Sequence, residues 1–242
     1  MTRRAVRGAP GGRALPRTGK SMSEIVKIDA DRPDADLIRR ACSLLEAGEL
    51  VGVPTETVYG IACDPAHIEK IYAAKERDRG KPIARLAGSL EQVEALGADF
   101  GKDGRALAEK YWPGPLTLVL ETPEGTTGFR VPNHEVPLAL ARAFGKPIAL
   151  TSANKSGDKD ALNAQEAFQT LEAEVPLFLN DFQTLEESDE KVPNLGKKPS
   201  TVAQCLENGI KILRAGAVSK KQIEKLIKRS LPRRGAENAE CL

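Results

Sequence analysis

The 242-residue chain has few of the residues that build metal centres and disulfide frameworks. Its cysteines and histidines together are Cys42, Cys63, Cys205, Cys241, His67 and His134. The cysteines are far apart and form no Cys-x-x-Cys pair, which argues against a zinc site and fits a reducing compartment. Two histidines are too few for a histidine-rich metal site.

Long apolar runs are also missing. None approaches the roughly 20 residues that a membrane-spanning helix needs, so no membrane span is expected. The chain is 40% hydrophobic and 29% charged, which is ordinary for a globular protein. Because no internal repeat or composition break divides residues 25–229, we expect one domain there, with tails at 1–24 and 230–242.

Positive charge is concentrated at the N-terminus. Six of the 36 lysines and arginines fall in the first 20 positions, where no acid occurs, so acidic side chains outnumber basic ones in the remainder. An extended nucleic-acid surface is therefore not indicated, and any anion site must come from local clustering. The Arg-rich segment 1–24, whose single acid is Glu24, is typical of a mitochondrial transit peptide or of a disordered basic tail. We expect a cytoplasmic protein, with a mitochondrial pool if that segment directs import.

Hydrophobic periodicity predicts alternating helices and strands, which indicates an α/β fold with some antiparallel pairing. The predicted helices are 33–47, 66–76, 89–96, 103–111, 135–144, 163–173 and 219–229. The predicted strands are 50–53, 83–87, 116–120, 129–131, 147–150, 177–179, 200–206 and 210–214. The polar stretch 180–198 is predicted to be a mobile loop.

Small polar residues follow the strand at 147–150, in the order Thr-Ser-Ala-Asn-Lys-Ser-Gly over residues 151–157. Open α/β sheets bind ligands just outside the carboxyl ends of their strands, so this segment is a candidate ligand site. The same residues also form ordinary turns.

Five other segments have the same ambiguity. They are a Thr-Glu-Thr loop at 55–57, a basic run at 75–81, an arginine on a strand at 130, and polar strand ends at 200–201 and 214–216. Alone, each fits a turn, a solvated helix end or an arginine paired with an internal acid. No Walker A loop, Gly-x-Gly-x-x-Gly or Ser-His-Asp set is present, so any phosphate would be held by Lys, Arg and hydroxyl groups, with Mg²⁺ bridging phosphate oxygens.

Taken together and in order, these segments resemble the YrdC/Sua5 family of threonylcarbamoyl-AMP synthases. The matching marks between residues 54 and 216 are Pro-Thr-Glu-Thr-x-Tyr-Gly, Lys-x-Arg, Trp-Pro-Gly-Pro-Leu-Thr, Arg-x-Pro, Ser-x-Asn, Ser-Thr-Val and Arg-x-Gly. Residues 148–162 resemble animal members in particular. The resemblance implies a single YrdC-like domain with a twisted mixed parallel and antiparallel sheet, helices packed around it and a large concave cavity.

The resemblance also implies a reaction in which L-threonine, bicarbonate and ATP, with Mg²⁺, give threonylcarbamoyl-AMP and pyrophosphate. A tRNA threonylcarbamoyl transferase machinery would then use the adenylate to form N6-threonylcarbamoyladenosine at position 37 of tRNA, with at most weak RNA contact by this chain. Two alternatives are an RNA-binding module without nucleotidyl transfer and the carbamoyl-transfer domain of hydrogenase maturation proteins. The absence of zinc-finger cysteines argues against the second.

Site residues follow position by position from the resemblance. The expected threonine contacts are Thr55, Arg130 and Ser200. The expected ATP contacts are Arg77, Lys81, Thr126, Ser152 and Arg214. The expected catalytic residues are Lys75, Arg77, Ser152 and Asn154. The chain departs from the family pattern between residues 76 and 86, where Glu76, Asp78 and Lys81 replace more usual residues.

Overall fold

The computed structural model describes residues 22–181 and 198–230. Most of the two predicted tails, at 1–24 and 230–242, and most of the predicted loop at 180–198 lie outside these residues. The first strand begins at Glu24 and the last helix ends at Ser230, each one residue inside the range expected for a tail. The extent of the tails themselves stays a prediction.

The described residues form helices and strands in alternation. The helices are α1 Ala35–Glu46, α2 Glu69–Lys75, α3 Leu90–Glu94, α4 Gly101–Tyr111, α5 Glu135–Phe144, α6 Ala164–Leu171 and α7 Lys220–Ser230. The strands are β1 Glu24–Ile28, β2 Val51–Val53, β3 Gly60–Cys63, β4 Arg85–Leu86, β5 Leu116–Leu120, β6 Thr127–Arg130, β7 Ile148–Ser152, β8 Leu177–Asp181, β9 Thr201–Leu206 and β10 Gly209–Arg214.

All fifteen predicted elements are present, and their ends differ by a few residues. The predicted helix at 66–76 is divided into a 3-10 turn, Pro65–His67, and α2. Two strands were not predicted, β1 and β3. The sequence of β3, Gly-Ile-Ala-Cys, is short and wholly buried, so it shows neither helical nor alternating periodicity.

The strands of the described residues form one mixed sheet in the order β1-β8-β2-β3-β7-β4-β6-β5-β9-β10. Four neighbouring pairs are parallel, β1–β8, β2–β8, β4–β6 and β5–β9, and the other five are antiparallel. The expected α/β fold with a mixed sheet is confirmed. In the antiparallel pair β3–β7, Gly60 lies opposite Ser152. This register places the loop before β3 beside the loop after β7.

Strand β5 shows how the sheet separates core from site. Successive side chains of a strand point to opposite faces. Leu116, Leu118 and Leu120 are fully buried and belong to the hydrophobic cluster that includes residues of α4 and α7. Thr117 and Val119 point to the other face, which no helix covers completely. One face of this half of the sheet is therefore available to form a cavity.

Candidate active site

A cavity of about 800 Å³ lies against that face of the sheet. Its floor includes alternate residues of three strands: Thr117 and Val119 of β5, Gly128 and Arg130 of β6, Val202 and Gln204 of β9. Residues of α2 and of the loops after β2 and β7 form its walls. Every site residue predicted from the sequence lines it: Thr55, Lys75, Arg77, Lys81, Thr126, Arg130, Ser152, Asn154, Ser200 and Arg214. Their individual roles stay predictions.

Lys75 is the last residue of α2 and is almost completely buried, with 1% exposure. Its Nζ donates hydrogen bonds to the main-chain oxygens of Ser152 and Asn154, and to Asn154 Oδ1 at 3.2 Å. Burial, together with the charge of the nearby Arg77, lowers the pKa of the Lys75 ammonium to about 8. In this arrangement all three protons of the ammonium are directed at the loop after β7. Lys75 therefore holds that loop in place.

The loop after β7 is ordered by its own side chains as well. Ser152 Oγ lies 2.6 Å from Asn154 Oδ1, and Asn154 Nδ2 donates to the main-chain oxygens of Lys155 and Asp158 at 2.9 and 2.8 Å. Lys155 Nζ in turn donates to the oxygen of Ala74, at 2.8 Å, near the end of α2. The Lys-x-Arg and Ser-x-Asn pairs therefore form one connected unit, although Lys75 and Ser152 are 77 positions apart in the sequence.

Arg77 stands just beyond the end of α2, after Glu76, whose φ of 52° lies in the left-handed region. This turn ends the helix and directs the chain along the cavity. Arg77 Nε donates to the oxygen of Lys81 at 3.1 Å, and Nη2 donates to that of Pro82 at 3.3 Å. Arg77 thereby closes the loop that carries Lys81.

Lys81 and Thr126 are exposed, unlike the buried residues deeper in the cavity. Thr126 Oγ1 donates to Glu121 Oε1 at 2.8 Å. Both residues therefore lie on the solvent-exposed part of the cavity lining.

Ser200 lies at the start of β9 and connects two strands of the cavity. Its Oγ lies 2.9 Å from Thr117 Oγ1 and accepts a hydrogen bond from Arg214 Nη2 at 3.0 Å. Arg214 also donates from Nε and Nη2 to the oxygen of Ser200, at 3.2 and 2.8 Å. A Cβ at Gly216 would lie 2.3 Å from the oxygen of Pro199. The glycine of the Arg-x-Gly motif is therefore needed for close packing of two backbones.

Arg130 ends β6 and has three partners inside the protein. Nε donates to the oxygen of Gly114 at 3.2 Å, and Nη1 donates to Thr57 Oγ1 at 2.9 Å. Nη2 lies 2.6 Å from Glu56 Oε2, and both side chains are largely buried. The sequence left open whether this arginine pairs with an internal acid, and the structure shows such an acid, Glu56. Arg130 also lines the cavity, so it can contact a ligand from the same position.

The cavity is strongly positive. Six basic side chains and two acidic ones line it: Lys75, Arg77, Lys81, Arg85, Arg130, Arg214, Asp158 and Asp160. Partial burial lowers the pKa of Arg214, against an opposing effect of Asp160. The charges of Arg130 and Arg77 lower it further, which shows that these guanidinium groups share one electrostatic environment. Such a site favours a polyanion and a carboxylate.

The described residues hold no cluster of three or more His, Cys, Asp or Glu side chains that could bind a metal ion. Burial raises the pKa values of the Cys63 and Cys205 thiols to about 12, so neither is an activated nucleophile. His134 lies outside the cavity lining, where its Nε2 pairs with Asp181 Oδ2 at 2.8 Å. The site can therefore bind and position charged ligands. Nothing about the two thiols or His134 supports a covalent mechanism.

Comparison with known proteins identifies the family of this chain. The family model Sua5_yciO_yrdC, described as "Telomere recombination", matches residues 43–216. The chain belongs to this family. The Sua5/YciO/YrdC match covers every residue that we predicted for the site, from Thr55 to Arg214.

Several curated members of the Sua5/YciO/YrdC family are similar in sequence. A protein of Pyrococcus abyssi named threonylcarbamoyl-AMP synthase is 32% identical over 203 residues, which cover 78% of this chain and 57% of the relative. A rat protein of the same name is 35% identical over 179 residues, covering 67% of this chain and 61% of the relative. The chain thus spans somewhat under two thirds of the length of these relatives.

Solved structures of the Sua5/YciO/YrdC family show the same fold. The structure of P. abyssi Sua5 complexed with L-threonine aligns with a TM-score of 0.74 at 30% identity, covering 85% of this chain and 61% of that one. The structure of Escherichia coli YciO aligns with a TM-score of 0.71 at 24% identity, covering 84% of this chain and all of the other. Because the identity of this second match is so low, it shows similarity of fold only.

In the part of the chain that the structure describes, no helix is both long and apolar enough to cross a membrane.

Sequence reasoning gave no role to several residues that organise the site. Glu56 pairs with Arg130, Thr117 contacts Ser200, and Lys155 joins the loop after β7 to α2. The placement of Glu56 between two threonines directly after a buried strand is the signal that could have drawn attention to it. The partners of Thr117 and Lys155 are 83 and 81 residues away in sequence, so no local signal identifies them.

Proposed function

We propose that this protein is an L-threonylcarbamoyladenylate synthase, which condenses L-threonine, bicarbonate and ATP. The observation that carries the proposal is the convergence of ten predicted ligand-binding and catalytic residues on one positive cavity. The names of the relatives and the threonine complex of P. abyssi Sua5 support the same substrate class.

The chemistry needs binding and charge neutralisation rather than a protein nucleophile. The threonine amine combines with bicarbonate to give a carbamate and water. A carbamate oxygen then attacks the α-phosphorus of ATP, forming a new P–O bond as the bond to pyrophosphate breaks. Arg77, Lys81 and Arg214 would neutralise the phosphates, and Arg130 would hold the carboxylate of threonine. Catalysis by orientation and electrostatic stabilisation fits a cavity without an acid–base pair.

We propose that Mg²⁺ enters with ATP. Mg²⁺ in nucleotide sites is commonly held by phosphate oxygens, water and one or two carboxylates rather than by a cage of protein ligands. The two carboxylates that line the cavity, Asp158 and Asp160, are the candidates for such support. The ion would supply further neutralisation of phosphate charge.

The product adenylate would be consumed by a group transfer to the N6 amine of adenosine 37 in tRNA, catalysed by a separate transferase machinery. The rival function, RNA binding without nucleotidyl transfer, predicts a different dependence. RNA binding through phosphates falls steeply with salt and needs neither ATP nor threonine.

The test is incubation of the protein with ATP, Mg²⁺, bicarbonate and labelled L-threonine, followed by detection of pyrophosphate and the labelled adenylate. Pyrophosphate release should require threonine and bicarbonate together. Equal release with serine, or with no amino acid, would contradict the proposal. Salt-dependent RNA binding without adenylate formation would favour the RNA-binding module.

For location, we propose a cytoplasmic protein with a mitochondrial pool directed by residues 1–24, and a cytosolic form if translation begins at Met22. The support is the arginine-bearing composition of this segment, which contains no acid before Glu24. Fusion of residues 1–24 to a fluorescent reporter should send part of it to mitochondria. A reporter that stays wholly in the cytosol would leave only the interpretation as a basic tail.

A further inference from the structure

Arg130 faces the cavity but is already paired with a carboxylate of its own chain. Its Nη2 lies 2.6 Å from Glu56 Oε2, and the two side chains are 8% and 19% exposed. Both atoms are buried, and neither has a hydrogen bond of acceptable angle. The contact is therefore an ion pair at close range without the directed geometry of an optimal arginine–carboxylate bond.

The position of this contact on the guanidinium decides what else can bind there. A carboxylate can bind an arginine bidentately through Nε and Nη2 or through Nη1 and Nη2. Nη2 takes part in both arrangements, and it is the nitrogen beside Glu56. Nε and Nη1 donate to Gly114 and Thr57, which fix the plane of the group. The carboxylate of a ligand would therefore meet a guanidinium that is correctly oriented. Its Nη2, the nitrogen that both bidentate arrangements need, is already paired with Glu56.

Glu56 is itself held at its other oxygen. Oε1 accepts a hydrogen bond from the main-chain N–H of Asn133 at 2.8 Å. Asn133 lies in the short connection between β6 and α5, three residues after Arg130. Glu56 can therefore leave Nη2 by rotation of its carboxyl group while the bond to Asn133 keeps the side chain nearby.

We propose that Glu56 is an internal substitute for the substrate carboxylate, and that amino-acid binding exchanges the Glu56–Arg130 pair for a pair between Arg130 and the ligand. The proposal rests on the proposed function, because it takes an amino acid as the ligand of Arg130. Glu56 is a positioning residue in this scheme. It compensates the buried charge of Arg130 when the site is empty, since an unpaired buried charge is strongly destabilising.

The exchange predicts an unusual result for Glu56→Gln. This variant keeps an oxygen for Asn133 but removes the competing charge. Its affinity for L-threonine, measured by calorimetry without ATP, should rise about tenfold, equivalent to roughly 1.4 kcal/mol. Affinity for L-threoninol, which lacks the carboxylate, should not rise. ATP affinity in the absence of threonine should stay within about twofold, a margin well below that tenfold effect.

Glu124→Gln is the matched control. Glu124 is an exposed acid 3.5 Å from Arg85, another arginine of the cavity lining, so the variant removes the same charge near the same cavity. Its threonine affinity should equal that of the wild type. Unchanged or weaker threonine binding by Glu56→Gln, or an equal gain in Glu124→Gln, would overturn the exchange.

A crystal structure of the unaltered protein with L-threonine tests the same idea if Glu56→Gln does not fold. Separation of Glu56 Oε2 from Arg130 Nη2 beyond about 4 Å, the limit for an ion pair, with the threonine carboxylate at the guanidinium, supports the exchange. An intact Glu56–Arg130 pair in that complex overturns it. Threonine-dependent pyrophosphate release by the wild type tests the synthase activity independently, so a failure of one proposal is distinguishable from a failure of the other.

Discussion

The buried ammonium of Lys75 should cost the folded protein stability at neutral pH, and this cost should disappear at alkaline pH. Its pKa is lowered by burial from an ordinary value of 10.5 to about 8. Each pKa unit corresponds to about 1.4 kcal/mol, so the difference corresponds to roughly 3 kcal/mol against the folded state while Lys75 is charged. Because Lys75 is only 1% exposed, solvent screening does not reduce this figure greatly.

The direction follows from proton binding in the two states. Below pH 8 the ammonium is charged in both states, and the folded state bears the whole cost. Between pH 8 and 10.5 the folded protein loses this proton while the unfolded chain keeps it. Stability rises with pH wherever the unfolded state binds more protons. The gain from Lys75 should therefore develop in that interval.

Lys75→Met isolates the effect. At pH 7 this variant gains by removal of a buried charge and loses because the main-chain oxygens of Ser152 and Asn154 no longer have Lys75 as a donor, at about 1–3 kcal/mol each. These opposing contributions are of similar size, so the difference at a single pH is not diagnostic. The pH dependence of that difference is diagnostic, because the loss of hydrogen bonds in the variant does not change with pH. Between pH 7 and 10.5, the free energy of unfolding of the wild type should rise by roughly 3 kcal/mol relative to that of Lys75→Met.

The assay is urea unfolding of both proteins across this pH range. Lys155→Met, which changes the other lysine beside the loop after β7 but retains Lys75, should keep the alkaline gain. Threonine-dependent pyrophosphate release by the wild type should decline above pH 8, because a neutral amine has one donor fewer for Ser152 and Asn154. A constant difference in stability between the wild type and Lys75→Met at every pH would refute the reasoning.

Three substitutions test other parts of the cavity. Arg77→Ala should remove a charge-assisted contact of about 1.5–3 kcal/mol, so ATP affinity should fall more than tenfold; wild-type affinity and turnover would identify Arg77 as a solvated helix end. Arg130→Lys should raise the KM for threonine more than it weakens ATP binding, because lysine cannot form a bidentate contact with a carboxylate. A lowered Tm with an unchanged KM for threonine would show that Arg130 is not part of the site. Gly216→Ala should destabilise by about 1–3 kcal/mol in urea unfolding, because its Cβ would lie 2.3 Å from the oxygen of Pro199; wild-type stability would contradict that close packing.

The sequence was sufficient for most of the fold because its apolar pattern is regular. The strand Leu116–Leu120 alternates between core and cavity, and the helix Glu135–Phe144 has both of its predicted ends. The pattern failed at Gly60–Cys63, where every residue is buried. It also failed at Glu24–Ile28, whose pairing with β8 depends on residues about 150 positions away. Neither strand has a local periodicity that distinguishes it from a loop.

The site was predictable as a set of residues but not as a set of contacts. Motifs between Thr55 and Arg214 identified ten side chains that line one cavity. Their partners were not predictable, because they are set by strand order. Arg130 meets Glu56 because β6 lies in the same sheet as the strands that flank the loop at 54–59, with only β7 and β4 between β3 and β6. The sequence could show that the arginine needs an anion, but only the fold shows which anion lies within reach.

The charges of the cavity are tied to the backbone, which sets the direction of each cation. Lys75, Arg77 and Arg214 each donate to main-chain oxygens within the site. These contacts partly offset the repulsion between the cations and fix their direction before any phosphate arrives. Arg130 differs because its shared nitrogen faces an ionic partner, Glu56. In the proposed exchange, the nucleotide side of the cavity is preorganised, whereas the amino-acid side requires a carboxylate to displace one already present.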